Sequence, residues 1–328
     1  MLSDWVLKNQ GTIYSICFPA EFVNGKTIFN PSISISQDGI GTLVFRTTNY
    51  RYLRPTGSFT SLTSTGAIQY LLPRKQVARS SFFLAQHNFS SNHSKPYTNI
   101  SFERFFLPDL PKSSEYNFES IEDLRICAQD LKFTLLGNIL VSDNRRRPFY
   151  FETEFLPQDA ALIQLKNMKL IEFPYMAKIE KNWVQIEGEP NLVVRWPLGT
   201  KSSENNIAIT SLLKDQFDNY EEFQEEPNLF GGSPFIKYLD GYLTVVHERK
   251  FGNRKNNHEY FHKFLYYNND FQLVKSSIPF SFFGFETEFC SGLTIYLDKV
   301  FISISCNDSL NFVISFNKFS NILEADFE

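Results

Sequence analysis

Two apolar-rich runs meet at Asp240 and Gly241 within residues 231–249, GGSPFIKYLDGYLTVVHER. An Asp-Gly pair between alternating apolar residues is a strong signal for a tight β-hairpin. The same order of run, turn and run recurs along the chain. The other predicted hairpins are residues 30–46 (turn at Gln37-Asp38-Gly39), 122–140 (turn near Gln129-Asp130), 180–197 (turn at residues 187–190) and 286–308 (turn at Asp298-Lys299).

The five hairpins share one layout. Each starts on polar or small residues, and four of them end on a functional group, which is Arg46, Arg195, His247 or Asp308. The last four start roughly 50–60 residues apart, and a repeat of that period with several strands in each unit indicates a β-propeller. We therefore expect an all-β, five-bladed β-propeller in which the polar strand ends of all units converge on one pocket.

The whole chain, residues 1–328, is predicted to form this single domain. Its first interval is longer than the others, which predicts an insertion or long loop around residues 79–118. Mixed charged and apolar residues without helix caps predict an irregular connection around residues 201–229.

Composition agrees with a strand-rich fold. The 328 residues include 35 Phe and 15 Tyr, and 42% are hydrophobic, which allows a sizeable core and favours strands. The net charge of −4 gives no general basic surface, so we expect no nucleic-acid partner.

The cysteines and the N-terminus indicate a cytoplasmic protein. Cys17, Cys127, Cys290 and Cys306 are scattered and form no CxxC pair, so we expect reduced thiols and no zinc site. We also expect no other metal and no cofactor. The first residues lack the features of a signal peptide. No uncharged apolar stretch is long enough for a membrane span.

Carboxylates beside an arginine open the second hairpin, at Glu122-Asp123-Leu124-Arg125. A carboxylate in such surroundings can be tuned for proton transfer. The alternative is a salt bridge at a strand end.

Polar residues also open the third hairpin. Glu180, Lys181 and Asn182 suit recognition of a polyol or a phosphate, unless they form an ordinary polar loop. Arg195 and Trp196 close that hairpin, and an arginine there can clamp an oxyanion. Trp196 could instead fill a gap between blades.

Further candidates lie in the last two hairpins. Gly231, Gly232 and Ser233 could bring backbone N–H groups close to a ligand, or form a structural turn. His247 could donate to a phosphate or hydroxyl, or be a structural histidine. Glu288 and Asp308 supply further carboxylates of the kind used in glycosidic-bond chemistry. The short charge run Arg145–Arg147 is either a solvated loop or a contact to an anionic substrate.

The ordered motifs resemble a known group of enzymes. These motifs are NPSI (30–33), RTTNY (46–50), EDLR (122–125), EKNW (180–183), GGSP (231–234), VVH (245–247), EFCSGL (288–293) and SCND (305–308). Together they resemble the five-bladed β-propeller carbohydrate enzymes of glycoside hydrolase family 130, the inverting mannoside phosphorylases and hydrolases, and the related glycosyltransferase family 108. The resemblance spans about residues 28–310 in order.

The resemblance implies roles for individual residues. In family 130 an aspartate in a Glu-Asp-Pro-Arg motif is the proton donor, so Asp123 is implied as the acid/base, although Leu124 replaces the proline. Basic and histidine side chains hold the attacking phosphate in that family. The cations and hydroxyl-orienting groups implied here are Arg46, Lys181, Arg195 and His247, and Asn30, Asn49 and Asp308.

The remaining substrate-binding candidates are Glu122, Arg125, Glu180, Asn182, Trp196, Gly232, Ser233 and Glu288. The EKNW and RWP segments are unlike the usual phosphorylase pattern. They indicate a divergent branch that transfers sugars in glycan or capsule assembly.

The leading hypothesis is therefore an inverting glycosyltransferase or phosphorylase. Its expected partners are a sugar phosphate or other activated sugar donor, a glycan acceptor and inorganic phosphate. Two alternatives stay open at this point, namely an inverting glycoside hydrolase and a glycan-binding propeller without catalytic activity.

Overall fold

The architecture comes from a computed structural model of the chain. It describes residues 1–23, 26–49, 51–53, 69–71, 79–90, 95–110, 116–129, 132–141, 145–155, 162–171, 182–196, 208–211, 229–251, 258–285, 287–317 and 323–324. Two short helices lie near the N-terminus, α1 (Leu2–Lys8) and α2 (Ala20–Val23). No helix in the described ranges has the length and apolar character needed to cross a membrane.

Strands make up most of the described chain. The first eight are β1 (Thr12–Ile16), β2 (Thr27–Ile35), β3 (Ile40–Thr48), β4 (Arg51–Leu53), β5 (Gln69–Leu71), β6 (Ser80–Asn88), β7 (Tyr97–Ile100) and β8 (Arg104–Asp109). The next eight are β9 (Tyr116–Gln129), β10 (Lys132–Val141), β11 (Arg146–Phe155), β12 (Leu162–Leu170), β13 (Trp183–Ile186), β14 (Glu189–Arg195), β15 (Ala208–Ser211) and β16 (Leu229–Gly231). The last seven are β17 (Ile236–Tyr238), β18 (Gly241–Phe251), β19 (His258–Asn268), β20 (Leu273–Ser276), β21 (Glu288–Tyr296), β22 (Lys299–Cys306) and β23 (Leu310–Asn317).

The strands form mainly antiparallel sheets. The largest has the order β2-β3-β6-β8-β12-β11-β10-β9, and a second has the order β21-β22-β23-β1-β7. A third contains β16-β18-β19-β20, with β17 also paired to β18. The smaller sheets are β13-β14-β15 and β4-β5. The protein is therefore all-β in class, as the sequence predicts.

All five predicted hairpins are present as antiparallel pairs. These are β2–β3, β9–β10, β13–β14, β17–β18 and β21–β22. Gly39 and Gly188 lie in two of the turns with φ of 85° and 78°, a conformation that glycine adopts without steric cost. Turn residues and apolar alternation are thus sufficient to locate these pairs.

Strands lie in both segments that were expected to be connections. The segment around residues 79–118, expected to be an insertion or long loop, contains β6, β7 and β8, and β6 pairs along its whole length with β3. The apolar run of β6 in SSFFLAQHN, buried from Phe82 to Ala85, is the strand signal that the longer interval obscured. Residues 201–229 include the strand β15, which pairs with β14. The rest of that predicted connection, apart from Leu229, lies outside the described residues.

The first strands of the hairpins, β2, β9, β13, β17 and β21, are the inner strands of the fold. β2 packs against β9 and β21, β9 packs against β13, and β17 packs against β21. All but the first residue of β2 are buried, because both of its faces are covered. Packing is close enough that a Cβ on Gly232 would lie 2.5 Å from the carbonyl oxygen of Val245.

The two ends of the chain meet in one sheet. β1 pairs antiparallel with β23, so an N-terminal strand completes the sheet formed by the last hairpin. Asn311 adds a link by donating from its side-chain amide to the carbonyl oxygen of Ile28, at 2.8 Å. This hydrogen bond joins residues that are 283 positions apart in the sequence.

Candidate functional site

Strand register brings the predicted chemical groups to one end of each hairpin. Arg46 lies opposite Phe29, and Cys306, two residues before Asp308, lies opposite Glu288. Arg195 lies opposite Trp183 in the third hairpin. Because partners in an antiparallel pair are adjacent, the start of each inner strand lies beside the end of its neighbour.

Three inner strands have a residue in the left-handed region, within the strand for Asn30 and Asp123 and just before it for Asn182. Asn30, Asp123 and Asn182 have φ of 53°, 52° and 62°. Asn and Asp tolerate this conformation better than most residues, because their short polar side chains can bond locally. Asn30 lies in a register irregularity of β2, and Asp123 lies in one of β9. Such bulges redirect side chains and are frequent near functional sites.

A charged cluster surrounds Asp123. Arg46 donates from Nη2 to Oε1 of Glu122 at 2.6 Å, and its Nη1 lies 4.0 Å from Oδ1 of Asp123. Arg146 approaches the other oxygen of Glu122 with an Nη1–Oε2 distance of 3.1 Å. Glu122 is therefore held between two guanidinium groups, and Asp123 lies beside this arrangement with its side chain only 15% exposed.

Arg125 is fully buried and donates hydrogen bonds to three backbone carbonyl groups. Its Nε donates to the carbonyl oxygen of Gly232 at 2.6 Å and its Nη2 to that of Gly231 at 3.2 Å. Its Nη1 donates to the carbonyl oxygen of Asp123 at 2.8 Å. Burial lowers the pKa of Arg125, and the nearby Asp123 carboxylate opposes that shift. Arg125 was expected to contact substrate, whereas in the structure its guanidinium group is directed at backbone carbonyl oxygens.

Gly231, Gly232 and Ser233 are likewise part of the internal packing. A Cβ on Gly231 would lie 2.1 Å from Cδ1 of Trp196, so only glycine fits there. Ser233 is fully buried and accepts a hydrogen bond from the backbone N–H of Val245 at 2.8 Å. The structural interpretation of this glycine turn is therefore the one the contacts support.

His247 lies in an aromatic group in the second half of β18. Its ring stacks on Phe230 at a centroid distance of 5.4 Å and on Tyr260 at 5.6 Å. Phe289 of β21 meets it edge-on at 5.3 Å. The guanidinium of Arg125 lies 5.8 Å from the ring centroid of Phe289. Asp123, Arg125, Phe289 and His247 therefore form a continuous series of contacts across the second, fourth and fifth hairpins.

His262 lies behind His247, in the core. Both of its ring nitrogens are buried without a hydrogen-bond partner among the described residues, and its ring packs against Phe282 at 4.5 Å. Burial lowers the pKa of His262 to about 3. It is therefore a neutral core side chain in the folded protein.

The buried His262 makes stability depend on pH. The unfolded chain binds a proton with a pKa near 6.5 and the folded chain resists protonation, so stability falls as pH decreases from 6.5 towards 3. We expect His262→Phe to remove about 2 kcal/mol of the loss between pH 7 and pH 5. Urea unfolding at both pH values measures this difference. An unchanged pH dependence in the variant would show that other groups cause the loss.

Glu288 holds the backbone of the preceding turn, and we call this role a clamp. Its carboxylate accepts backbone N–H groups from Phe282, Phe283 and Phe285 at 2.6, 2.7 and 3.0 Å. Burial raises the pKa of Glu288, and these hydrogen bonds partly offset the shift. Glu288 is fully buried, so it supports the turn before β21 and differs from the expected substrate ligand.

The remaining candidates have mixed environments. The Oδ1 atom of Asn30 and the Nε1 atom of Trp196 are buried without a hydrogen-bond partner among the described residues. Trp196 packs with Phe235 in the core, as a residue that fills space. Asn49 accepts the backbone N–H of Arg79 at 2.8 Å. Asp308 lies in the turn between β22 and β23 with φ of 52°.

Some predicted residues cannot be placed. Glu180 and Lys181 lie outside the described residues. Arg195 is described only as the last residue of β14. Asn182 follows directly after the gap and is largely buried. Within the described part of the chain, no group of three or more His, Cys, Asp or Glu side chains is arranged to hold a metal ion.

The structure also adds residues that sequence reasoning did not select. Arg146 enters the cluster around Asp123, and its only sequence signal is membership of the charge run Arg145–Arg147. Tyr260 and Phe289 flank His247. Aromatic residues are so frequent in this chain that no local pattern distinguishes these two.

Comparison with solved structures identifies the fold. A β-1,2-mannobiose phosphorylase from Listeria innocua, solved with β-1,2-mannobiose, matches with a TM-score of 0.53 at 14% identity over 93% of this chain and 97% of that chain. A second match is a structure from the GH130 family of mannoside phosphorylases, a family reported to contain glycoside hydrolases that target β-1,2 mannosidic linkages in Candida mannan. Its TM-score is 0.56 at 12% identity, over 92% of this chain and 87% of that chain. MPT-4, a mannose phosphorylase from Leishmania mexicana solved with phosphate, matches with a TM-score of 0.50 at 10% identity over 99% and 96%.

These matches concern the fold. The chain has the all-β, propeller-type fold of the GH130 mannoside phosphorylases and related glycosidases, which confirms the resemblance seen in the motifs. The low identity fits a divergent branch. No protein-family model matches the chain. The search of curated proteins finds no match either.

Proposed function

We propose that the protein is a carbohydrate-active enzyme that makes or breaks a glycosidic bond with inversion, using a phosphorylated sugar as donor. Asp123 transfers the proton between the enzyme and the bridging or acceptor oxygen. The acceptor is a glycan, and inorganic phosphate is the leaving group in synthesis or the nucleophile in cleavage. The fold shared with phosphorylases and glycosidases that act on mannosides supports this class.

The observation that carries the proposal is the environment of Asp123. It is a largely buried carboxylate in a left-handed conformation at an irregularity of an inner strand. A proton donor needs such a fixed position relative to the reacting oxygen. The left-handed conformation takes the Asp123 side chain out of the regular alternation of β9 and so sets its direction.

The ion pairs of Glu122 favour an inverting mechanism over a retaining one. A retaining enzyme uses a second carboxylate as nucleophile. The nearest carboxylate in sequence, Glu122, is ion-paired with Arg46 and Arg146, which stabilise its negative charge and make it a weak nucleophile. The attacking group therefore comes from outside the protein, as phosphate or water.

Cations at the other hairpin ends would stabilise the phosphate. We propose this role for Lys181, Arg195 and His247, with Arg46 contributing through its charge while it stays paired with Glu122. Phosphoryl oxygens gain negative charge as the glycosidic bond breaks, and fixed cations stabilise that charge. Asn30, Asn49, Asn182 and Asp308 are proposed to orient sugar hydroxyls.

The blade count belongs to this proposal. Each predicted hairpin has further strands beside it, which gives the groups β2-β3-β6, β9 to β12, β13 to β15, β16 to β20, and β21 to β23 with β1. We propose that these groups are five blades of one domain. The inner strands then line a central channel, as propeller architecture requires.

A product screen tests the function. Purified protein is incubated with mannose 1-phosphate, other sugar 1-phosphates and nucleotide sugars against a panel of sugar acceptors, and with β-1,2-mannobiose plus phosphate for the reverse direction. We expect a glycoside and free phosphate in synthesis, and a sugar 1-phosphate in cleavage. Binding of sugars without any product would contradict the enzyme and favour a glycan-binding protein.

Hydrolysis is the second candidate, because the GH130 family is reported to contain glycoside hydrolases. A hydrolase releases free sugar from β-1,2-mannobiose whether or not phosphate is present. Comparing the cleavage rate with and without phosphate therefore separates the two activities. A rate that does not depend on phosphate would replace the phosphorylase proposal with the hydrolase.

A further inference from the structure

The strand that carries Asp123 is irregular on both sides of it. Glu122 of β9 lies opposite Asn138 of β10, whereas Asn117 lies opposite Leu140. Only Ile139 separates the two partners on β10, so β9 has several more residues than β10 over this interval. A bulged strand of this kind leaves some backbone groups without partners in the ladder.

Side chains from β6, β11 and β9 itself satisfy carbonyl groups in this segment. The carbonyl oxygen of Ser120 accepts from Nη1 of Arg146 at 3.0 Å, and that of Ile121 accepts from Oγ of Ser80 at 2.6 Å. The carbonyl oxygen of Asp123 accepts from Arg125. The bulged segment before Asp123 is therefore held partly by Ser80 and Arg146, which lie outside the β9–β10 hairpin.

Among these hydrogen-bond donors, Arg146 also forms an ion pair with Glu122. The same Nη1 atom that binds the Ser120 carbonyl lies 3.1 Å from Oε2 of Glu122. Both side chains are largely buried, at 18% and 15% exposure. Arg79 and Glu119 form a pair of similar length nearby, at 2.8 Å, but they are 59% and 55% exposed. Exposed pairs of that kind contribute little.

We propose that Arg146 is a positioning residue for Asp123. It fixes Ser120 and the Glu122 carboxylate, and through them the bulged segment that presents the Asp123 carboxylate. Arg146 begins β11, which pairs with β10, so the position of Asp123 depends on a third strand of the same sheet. This inference rests on the proposed function of Asp123 and goes beyond it by assigning a role to Arg146.

Substitutions at Arg146 test the inference, with Arg79→Met as the matched control. We expect Arg146→Met to lower kcat about 10- to 100-fold with KM changed less than about threefold, because a displaced catalytic group affects the transition state more than substrate binding. Arg146→Lys keeps the charge without the planar fork and should recover only part of the loss. Arg79→Met should retain the wild-type kcat.

Chemical rescue separates positioning from a general structural role. Guanidinium ion at low millimolar concentration should restore part of the kcat of Arg146→Ala, and methylammonium should restore less. The inference is overturned if the wild type is active, Asp123→Asn is inactive and Arg146→Met has the wild-type kcat. It is also overturned if the Arg146 variants lose activity only in proportion to lost folded protein, measured by circular dichroism. An inactive wild type, or an active Asp123→Asn variant, instead overturns the proposed function.

Discussion

Asp123→Asn is expected to lower turnover by roughly 10²- to 10⁴-fold, the usual contribution of a positioned acid or base. Asparagine has nearly the same size as aspartate and tolerates the left-handed conformation that Asp123 adopts, with φ of 52°. It cannot donate a carboxylic proton or accept one. The rate of product formation in both directions measures the effect.

The control for Asp123→Asn is Glu119→Gln. Glu119 is an exposed carboxylate on the same strand, paired with Arg79, and its loss should leave turnover unchanged. Thermal unfolding should show that both variants keep a folded state, since the ion pair between Arg46 and Glu122 is retained. Turnover at the wild-type rate in Asp123→Asn would remove this residue from the mechanism.

Arg125→Met is expected to destabilise the protein by about 3–5 kcal/mol, the range for removing one partner of a buried charged network. Methionine retains much of the volume and can pack against Phe289. The carbonyl oxygens of Asp123, Gly231 and Gly232 then lose the hydrogen bonds that Arg125 donates. The side chain of Arg125 is fully buried, so water does not replace these bonds. Each unsatisfied group of this kind costs about 1–3 kcal/mol.

Urea unfolding measures the change in the free energy of unfolding for Arg125→Met, and Arg79→Met again serves as the control. The exposed Arg79 pair should contribute less than about 1 kcal/mol. The Arg125 variant should also lose activity, because the same guanidinium binds the Asp123 carbonyl oxygen. A loss of stability no greater than that of Arg79→Met would show that Arg125 does not hold β9 to the segment of Gly231 and Gly232.

The hairpins could be predicted because their signals are local. Turn residues such as Asp240-Gly241 and the alternation around them depend on neighbours in sequence, and every predicted pair is present. The strand β6 was missed for a similar reason. Its interval is long and contains many serines, and the spacing of the other hairpins outweighed the apolar run within SSFFLAQHN.

The roles of the charged residues could not be predicted from local patterns. Arg125 donates to Gly232, which is 107 positions away in the chain, and no spacing rule connects the two. Glu288 has the chemistry of a substrate ligand, and only burial and three backbone N–H groups show that it is a clamp. Burial of a polar side chain depends on packing between hairpins, which the sequence of one hairpin does not contain.

The charge run Arg145–Arg147 shows the same limit within one segment. Arg145 is exposed, Arg146 pairs with Glu122, and Arg147 is buried. Strand alternation predicts that neighbouring side chains point in opposite directions, but which arginine of the run reaches Glu122 depends on the bulge in β9. The motif Glu122-Asp123 locates the candidate acid, and the structure is needed to find the residues that hold it.

The stereochemistry of the first-formed product tests the central claim most directly. Proton NMR can follow the anomeric signal during the first minutes of cleavage of β-1,2-mannobiose in the presence of phosphate. A single displacement assisted by Asp123 predicts the α-anomer of mannose 1-phosphate, which has the configuration opposite to that of the substrate. A first product with the β-configuration would require a carboxylate nucleophile and would contradict the account of Asp123 and Glu122 given above.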